Sequence, residues 1–248
     1  MAVITFYLIL MKGKFHMELF KRLFAGVTIV AMALITVAPT GFAHAATLEG
    51  GDLVKASGAA VYYYGQDGKR YVFPNEATYK TWYADFSKVK TITDSELAAL
   101  PIGGNVVFKP GTYLVKITTD PKVYAVGPNG ALHWVKSEAA AKTLWGNDWA
   151  KWVKDVPDAF FTNYSVSTSD IDGTKHVAGS VIKYNGSDKM YYVDTDGKKR
   201  EFTGTAFADN GFMSKFVVTS PDSITYSNGS GIAIKEVALW DAVGRAHV

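Results

Sequence analysis

The chain of 248 residues contains no cysteine. Disulfide bonds, thiolate zinc sites, a cysteine nucleophile and a cysteine-linked lipid anchor are therefore excluded. The sequence also lacks a Gly-x-Ser-x-Gly nucleophile elbow, a His-Glu-x-x-His zinc motif and a phosphate-cradling glycine-rich loop. From these absences we predict a protein that is not an enzyme and that needs no cofactor.

The N-terminal segment predicts export. Lys21 and Arg22 precede an uncharged apolar run over residues 23–38, and Ala43-His44-Ala45 gives the small-x-small pattern that a signal peptidase recognises. We therefore predict a signal peptide over residues 1–45, with Met17 as an alternative start. A retained anchor is less favoured, because the run is shorter than the ~20 apolar residues that span a bilayer. The expected product is secreted or held at the cell surface, with no membrane span after cleavage.

The net charge of +3 belongs to this leader. Of the 26 basic and 23 acidic residues, four and one lie in residues 1–45, so residues 46–248 hold 22 of each. A neutral mature chain lacks the concentrated basic surface that a nucleic-acid partner requires. Aromatic residues make up 14% of the chain, and they predict a core that is stable without disulfides.

Three similar hairpins divide the rest of the chain. Each turn ends in Asp-Gly or Asn-Gly, which tolerate the positive φ angles of tight connections, and each is flanked by strand-forming residues. The turns are Gly65-Gln66-Asp67-Gly68, Gly127-Pro128-Asn129-Gly130 and Asp194-Thr195-Asp196-Gly197. A shorter strand precedes each hairpin, beginning at Leu53, Leu114 and Val181. After the first two hairpins, Asn75 and Ser137 predict helix N-caps.

This pattern predicts a mainly β fold with short helices, built from three tandem repeats. The repeats cover residues 46–110, 111–178 and 179–230, with a linker at 165–178 that closes the second. In the first repeat, Tyr79, Trp82, Tyr83 and Phe86 predict one apolar helix face. The C-terminal tail, residues 231–248, is predicted to pair as an edge strand and to fray beyond it. A compact, pseudo-threefold domain and a row of small subdomains both fit the pattern.

Aromatic residues of the hairpins are the candidate ligand-binding residues. Tyr62 and Tyr64 point to one face of their strand and Tyr63 to the other. A solvent-facing tyrosine offers a surface on which sugar rings stack. The candidates are Tyr62, Tyr64, Tyr71, Trp134 and Tyr191. Trp145, Trp149 and Trp152 could serve similarly, although their spacing favours core packing.

Acidic residues supply two weaker hypotheses. Asp170-Ile171-Asp172-Gly173 and Asp194-Thr195-Asp196-Gly197 each resemble the middle of a calcium loop. The closing carboxylate that such a loop requires is missing from both, so turns are favoured over a weak calcium site at Asp170 and Asp172. A pair of carboxylates could instead hydrolyse glycosidic bonds without a local motif. The acids nearest to dense aromatics are Asp85, Asp94, Glu96, Asp155 and Asp158.

Several segments resemble a repeat of secreted, uncharacterised proteins from candidate-phyla bacteria. The resemblance spans residues 50 to about 230, and it is carried by Gly51-Asp52-Leu53-Val54-Lys55, by Asp67-Gly68-Lys69-Arg70-Tyr71-Val72-Phe73-Pro74-Asn75 and by Asp120-Pro121-Lys122-Val123-Tyr124-Ala125-Val126. The hairpin is also similar, over a shorter stretch, to the aromatic hairpins of cell-wall-binding repeats. The resemblance implies a cell-envelope setting, and it transfers no catalytic residues.

Together these features favour a non-enzymatic extracellular or cell-surface module. Its expected partners are envelope polysaccharide or other surface proteins, and no nucleic acid. A cell-wall glycoside hydrolase that uses an unrecognised carboxylate pair is the alternative, and a self-assembling coat protein is a third class. The oligomeric state is left open at this point.

Overall fold

The computed structural model describes residues 47–243. The predicted signal peptide, the alternative start Met17 and residues 244–248 lie outside the described residues. The described part belongs to one compact unit. It contains three sheets of five, five and four strands, joined by short helices, so the prediction of a mainly β fold is confirmed. Across residues 47–243, none of the helices is long and apolar enough to cross a membrane.

The first sheet comprises β1 (Leu53–Lys55), β2 (Tyr62–Tyr64), β3 (Arg70–Val72), β4 (Val89–Thr91) and β5 (Ile102–Asn105). β1, β2 and β3 form an antiparallel meander. β4 pairs parallel to β1 and β5 pairs parallel to β3, which gives the order β4-β1-β2-β3-β5. The meander is thus flanked by one parallel strand at each edge.

The second sheet has the same arrangement. Its strands are β6 (Leu114–Lys116), β7 (Tyr124–Val126), β8 (Ala131–Trp134), β9 (Val153–Asp155) and β10 (Ser165–Val166). β6, β7 and β8 form the meander, and β9 and β10 pair parallel to β6 and β8.

The third sheet has four strands: β11 (Val181–Tyr184), β12 (Tyr191–Val193), β13 (Lys199–Glu201) and β14 (Val217–Ser220). β11, β12 and β13 form the meander, and β14 pairs parallel to β11. At the β13 edge, where the other sheets carry a fifth strand, Lys199 and Phe202 make parallel bridges to Asn228 and Ile232. The chain therefore follows the same course here with less regular pairing.

The strand register is also the same in the three sheets. The first strand of each meander pairs at the same relative positions with its antiparallel and its parallel neighbour. The antiparallel pairs are Leu53–Tyr63, Leu114–Ala125 and Val181–Tyr192, and the parallel pairs are Leu53–Val89, Leu114–Val153 and Val181–Val217. Because a slip of one residue would turn every side chain to the opposite face, equal register places equivalent residues on equivalent faces.

The three predicted turns adopt the expected conformation. Gly68 and Gly197 have φ angles of 76°, and Asn129 has a φ of 61°. Asn129 is the only non-glycine residue with positive φ among residues 47–243. Its short side chain makes it one of the few residue types that occupy this region.

The helices are α1 (Glu76–Trp82), α2 (Asp94–Ala99), α3 (Glu138–Trp145), α4 (Asp158–Phe161), α5 (Ala206–Asp209) and α6 (Val237–Trp240), with 3₁₀ turns at Pro128–Gly130, Trp149–Trp152 and Ser214–Phe216. Both predicted N-caps are confirmed: the side chain of Asn75 accepts from the Thr78 amide, and that of Ser137 from the Ala140 amide. Each cap satisfies an amide that the first turn of the helix leaves unpaired.

Helix α1 is shorter than its apolar pattern predicts. It ends at Trp82, because Tyr83 is already extended. The apolar pattern places Phe86 on the same helix face as Tyr79 and Trp82. In the structure Phe86 lies beyond the helix and is 44% exposed. Its ring still stacks on Tyr79, with centroids 4.3 Å apart. The apolar pattern therefore predicted the contact between Tyr79 and Phe86 correctly, but it placed Phe86 wrongly within the helix.

Helix α3 packs between the second and third sheets. Ala140, Ala141 and Leu144 are at most 4% exposed. They share one core cluster with Leu114 of β6 and Val218 of β14. Two alanines on this face let the helix approach both sheets closely, so the two sheets share a core.

The predicted linker at residues 165–178 is ordered structure. It contains β10, and Ile171 forms a parallel bridge with Val135. His176 and Val177 are each 3% exposed. The Ser, Thr, Asp and Gly content of the segment predicted a linker, but its few apolar residues are placed where the neighbouring sheets bury them.

His176 is held as a neutral imidazole. Its Nδ1 lies 2.9 Å from the Tyr226 hydroxyl and its Nε2 lies 3.2 Å from the Leu144 carbonyl oxygen. A carbonyl only accepts, so Nε2 donates and Nδ1 accepts from the hydroxyl. Burial lowers the pKa of His176 to about 4.

The C-terminal tail does not fray within the described residues. Leu239, Ala242 and Val243 are at most 7% exposed. Ala242 and Val243 contact the core of the first sheet, and the Tyr63 hydroxyl donates to Asp241 Oδ1 at 2.7 Å. The predicted fraying is therefore wrong for residues 237–243, which bring the end of the chain back to its first hairpin.

We predict that Leu239→Ala lowers the free energy of unfolding by about 2–5 kcal/mol, because it leaves a cavity in the core around the third sheet. Val237→Ala, two residues earlier on a side chain that is 52% exposed, should change it by no more than about 0.5 kcal/mol. Urea unfolding followed by tryptophan fluorescence measures both. Equal effects of the two substitutions would show that the tail is not packed.

We predict that His176 makes the fold acid-sensitive. The folded pKa of about 4 lies below the value of about 6.5 in an unfolded chain. The unfolded state therefore binds the proton first as the pH falls, so stability is complete above about pH 6.5 and is lost toward pH 4.

One pKa unit corresponds to about 1.4 kcal/mol. His176→Phe should therefore reduce the loss of stability at acid pH by up to about 3 kcal/mol. Urea unfolding at pH 7 and pH 4.5 gives the difference, and His133→Phe is the matched control on a half-buried histidine. If His176→Phe and His133→Phe keep the same pH dependence as the original chain, His176 is not the acid-sensitive group.

Candidate functional site

The aromatic residues predicted to bind a ligand divide by burial. Tyr62, Tyr64, Trp134 and Tyr191 are half-buried. Tyr71 is 2% exposed, and its hydroxyl donates to Asp67 Oδ2 at 2.6 Å. Burial, followed by that hydrogen bond, raises the pKa of the Tyr71 hydroxyl. Tyr71 therefore belongs to the core of the first sheet and not to a solvent-facing surface.

In each hairpin, one half-buried aromatic ring lies against a lysine or arginine of the neighbouring strand or of the residues just before that strand. The pairs and their cation-to-centroid distances are Arg70–Tyr62 at 5.2 Å, Lys122–Trp134 at 5.2 Å and Lys199–Tyr191 at 4.6 Å. Such contacts stabilise exposed sites by about 0.5–1 kcal/mol. The candidate residues thus lie on three separate hairpins and do not meet in one site.

Of these residues, Trp134 lines an open groove. The groove has a volume of about 290 Å³, opens to solvent and lies at the end of the second meander. Trp134 and Trp149 are its two large aromatic walls. The remaining lining residues are Pro121, Lys122, Val123, Val135, Ser137, Glu138 and Ala141.

Two local features of the chain place the tryptophans. Trp134 is the last residue of β8 and lies opposite Tyr124. Gly146 ends α3 with a φ of 80°, in the region that favours glycine. The chain then turns into the 3₁₀ segment that carries Trp149. The helix and its glycine cap therefore bring Trp149 back beside the strand that carries Trp134.

The rim of the groove is polar. Glu138 pairs with Lys142, with Oε1 and Nζ 2.8 Å apart, and this contact holds the pKa of Glu138 below its usual value. The Ser137 oxygen accepts from the Ala140 amide, so its hydroxyl proton is available to a ligand. Lys122 forms no ion pair with any other described residue, and its exposed side chain can move away from the Trp134 ring.

Trp145, Trp149 and Trp152 have different environments. Trp145 is 7% exposed and belongs to the core around α3. Trp149 and Trp152 are half-buried at the edge of that core. Their spacing in sequence predicted shared packing, and it does not reveal that Trp149 also faces the groove. Gly146, which ends the helix before Trp149, is the sequence signal that could have indicated a return of the chain.

The five acids named as hydrolase candidates are each engaged in local contacts or sit at a helix start. Asp85 accepts from Ser87, Asp94 from Ser57, and Glu96 from Thr93 in a capping box. Asp155 pairs with Lys116 at 3.3 Å, and Asp158 begins helix α4. Hydrogen bonds from Ser87 lower the pKa of Asp85, which is opposite to what a general acid near neutral pH requires.

The two acids of the calcium hypothesis also have local partners. Asp172 Oδ1 accepts from the amide and the hydroxyl of Thr174, and Asp170 lies 3.7 Å from the Lys136 amine. Within residues 47–243, no group of three or more His, Cys, Asp or Glu residues is arranged to hold a metal ion.

No protein family model matches the chain, and no curated protein matches it.

We expect no heat when calcium is titrated to millimolar concentration in a calorimeter. The reason is that Asp172 already forms a closed turn with Thr174 and Asp170 lies beside a lysine. A saturable signal that disappears in the double variant Asp170→Asn, Asp172→Asn would instead establish the weak calcium site. The double variant Asp194→Asn, Asp196→Asn in the third hairpin is the matched control.

Proposed function

We propose that this protein is a non-enzymatic binding module of the cell surface, exported by its N-terminal segment and built from three tandem repeats. The proposed ligand is envelope polysaccharide, which binds in the groove between Trp134 and Trp149. The observation that carries the proposal is this groove, because it combines two half-buried indole rings with a polar rim on an open surface.

Equal strand order and equal register support the proposal of repeats. Each of the three segments runs through a meander, a helix and a strand parallel to the first strand of the meander. If the three segments were unrelated in sequence, we would not expect the same strand pairing at Leu53, Leu114 and Val181. The shared core around α3 and the return of the tail to the first hairpin favour a compact arrangement over a row of separate subdomains.

The shape of the groove suits one or two sugar units of a longer chain. A volume of about 290 Å³ lies at the lower end of the ~300–1,000 Å³ range of small-molecule sites. A pyranose ring presents C–H groups on its faces and hydroxyls at its edge. Indole rings can cover the faces, while Ser137, Glu138 and Lys122 can bond to hydroxyls. The groove opens to solvent, so a bound sugar unit can remain part of a longer chain.

The glycoside hydrolase remains the alternative, and the chemistry of the acids argues against it. A hydrolase needs one carboxyl group that stays protonated near neutral pH, opposite a second that is ionised. Asp85 has a lowered pKa, Glu96 is used in a helix cap and Asp155 forms an ion pair. The environment of Asp85 therefore favours its ionised form, and Glu96 and Asp155 would have to leave their local contacts to act on a substrate.

We predict that Trp134→Ala and Trp149→Ala each weaken binding to isolated cell-wall polysaccharide at least tenfold, because each removes one stacking surface of the groove. A pulldown with the purified protein gives the bound fraction, and circular dichroism checks the fold. The double variant Tyr62→Ala, Tyr64→Ala is the matched control, since it removes half-buried aromatics from the first hairpin. It should bind as the original chain does.

Three outcomes would overturn parts of this proposal. Full binding by folded Trp134→Ala and Trp149→Ala variants would exclude the groove. Loss of binding only in the Tyr62, Tyr64 variant would move the ligand to the first hairpin. Release of reducing sugar ends from the polysaccharide would establish the hydrolase alternative.

A further inference from the structure

Four asparagines of the chain are each followed by a glycine. They are Asn129, Asn185, Asn210 and Asn228. In such a pair the backbone amide nitrogen of the glycine can attack the side-chain amide of the asparagine, because glycine carries no side chain that hinders the approach. The attack needs an amide that is not already hydrogen-bonded and a backbone that has room to rotate. The structure separates the four pairs on both counts.

In three of the pairs the glycine amide is engaged or enclosed. The Gly211 amide donates to the Ala208 carbonyl oxygen at 2.9 Å, and the Gly229 amide donates to the Lys199 carbonyl oxygen at 2.8 Å. Gly130 is buried within a 3₁₀ turn. A hydrogen-bonded amide must leave its acceptor before its nitrogen can attack, so local opening of the structure has to precede the reaction.

The same three glycines are closely packed. A Cβ atom at Gly211 would lie 3.5 Å from the Trp82 carbonyl oxygen, and one at Gly229 would lie 3.1 Å from the Arg200 side chain. At Gly130 the nearest atom would lie at 3.4 Å. Ring closure requires a rotation of the local backbone, and these neighbours oppose it.

Asn210 is also held by its own side chain. It is fully buried, with 0% exposure. Its Nδ2 donates to the carbonyl oxygens of Ala206 and Ile234 at 2.7 and 3.0 Å, and its Oδ1 accepts from the Glu236 amide at 2.7 Å. These hydrogen bonds fix the carbon atom that the Gly211 nitrogen would have to reach.

Asn185 and Gly186 are constrained in neither way. They form the middle of the turn that follows β11, in which the Ser187 amide donates to the Tyr184 carbonyl oxygen at 3.2 Å. Both residues are exposed. The Gly186 amide donates to no backbone carbonyl of the described chain. Apart from the adjoining residues, no atom lies within 4 Å of the point where a Cβ of Gly186 would be.

We propose that Asn185 is a site of spontaneous deamidation, for which water is the co-reactant. The Gly186 nitrogen loses its proton and forms a bond to the side-chain carbonyl carbon of Asn185. The bond from that carbon to the side-chain nitrogen breaks, and the nitrogen takes up a proton and leaves as ammonia. Water then opens the resulting succinimide ring at either of its carbonyl groups. The products at position 185 are aspartate and isoaspartate.

The modification alters the third hairpin in charge and in backbone length. It adds one negative charge beside Asp188, which is also exposed. In isoaspartate the main chain runs through the side-chain carbon, so the turn becomes longer by one backbone atom. Turn geometry sets the register of a hairpin. Isoaspartate at position 185 should therefore weaken the pairing of β11 with β12, which joins Ile182 to Tyr191.

The proposal is tested by incubating the purified full-length protein at pH 8.5 and 37 °C and mapping its peptides by mass spectrometry. Conversion at Asn185 should be at least tenfold faster than at the three other asparagines that precede glycine. It should slow when the pH is lowered to 6, because the attacking nitrogen must lose its proton. Isoaspartate should appear beside aspartate, since direct hydrolysis of the side chain gives aspartate alone.

Protein unfolded in guanidinium chloride is the control for the role of the fold. In that state all four asparagines should convert at similar rates, because the hydrogen bonds and close packing that protect three of them are lost. The same preference for Asn185 in the folded and the unfolded protein would overturn the proposal, since the structure would then not select the site. Conversion at Asn129 or Asn228 as fast as at Asn185 in the folded protein would overturn it as well.

Two variants test the site in the folded protein. Asn185→Gln keeps the side-chain amide but moves its carbon one bond further from the Gly186 nitrogen. The acidic form that isoelectric focusing detects in the original chain should then accumulate at least tenfold more slowly. Asn228→Gln is the matched control at an exposed asparagine and should accumulate the acidic form at the original rate. An unchanged rate in folded Asn185→Gln would place the reaction elsewhere, and the peptide map of the original chain decides the question if that variant does not fold.

Discussion

One buried amine joins the first segment of the chain to the third. The Lys109 amide donates to Thr81 Oγ1 in α1 of the first segment, and its Nζ donates to carbonyls just beyond α5 of the third. Carbonyl dipoles at a helix end and the aromatic faces of Trp82 and Phe212 offset part of the cost of burying an ammonium group, yet burial still lowers the pKa of Lys109 to about 7. Separating the first segment from the third would break both hydrogen bonds of the Lys109 Nζ, so this residue joins parts that are about 100 residues apart in the chain.

His176 occupies the corresponding place before the third sheet. It precedes Val181 by five residues, as Lys109 precedes Leu114, and it too bonds to a carbonyl in a helix, that of Leu144 in α3. Both side chains are buried nitrogen bases whose pKa is lowered by loss of hydration. At both junctions between segments, a buried side chain therefore donates a hydrogen bond to a carbonyl oxygen at or just beyond the end of a helix. The side chain is a lysine at one junction and a histidine at the other.

The hairpins could be predicted from the sequence because their turns depend on local chemistry. The linker, the tail and the burial of Lys109 could not, because they depend on packing against distant parts of the chain. Turns at Gly68 and Gly197 follow from the backbone freedom of glycine, and the cap at Ser137 follows from its own hydroxyl. Residues 165–178 were predicted as a linker from their Ser, Thr, Asp and Gly content, and the tail was predicted to fray beyond an edge strand because it loses the repeat pattern. Lysine is usually exposed, so no pattern in the sequence marks Lys109 as buried; its position between Phe108 and Pro110 is the only hint.

The three meanders show how one scaffold can present different surfaces. The residues opposite Tyr62, Tyr124 and Tyr191 in the hairpins are Val72, Trp134 and Glu201. Equal register places these three at the same point of each sheet, yet one is aliphatic, one aromatic and one acidic. A substitution at this position leaves the strand pairing intact, because the hydrogen bonds between the strands are made by backbone groups. The groove beside Trp134 is therefore a property of one segment, because all the residues that line it belong to residues 121–149.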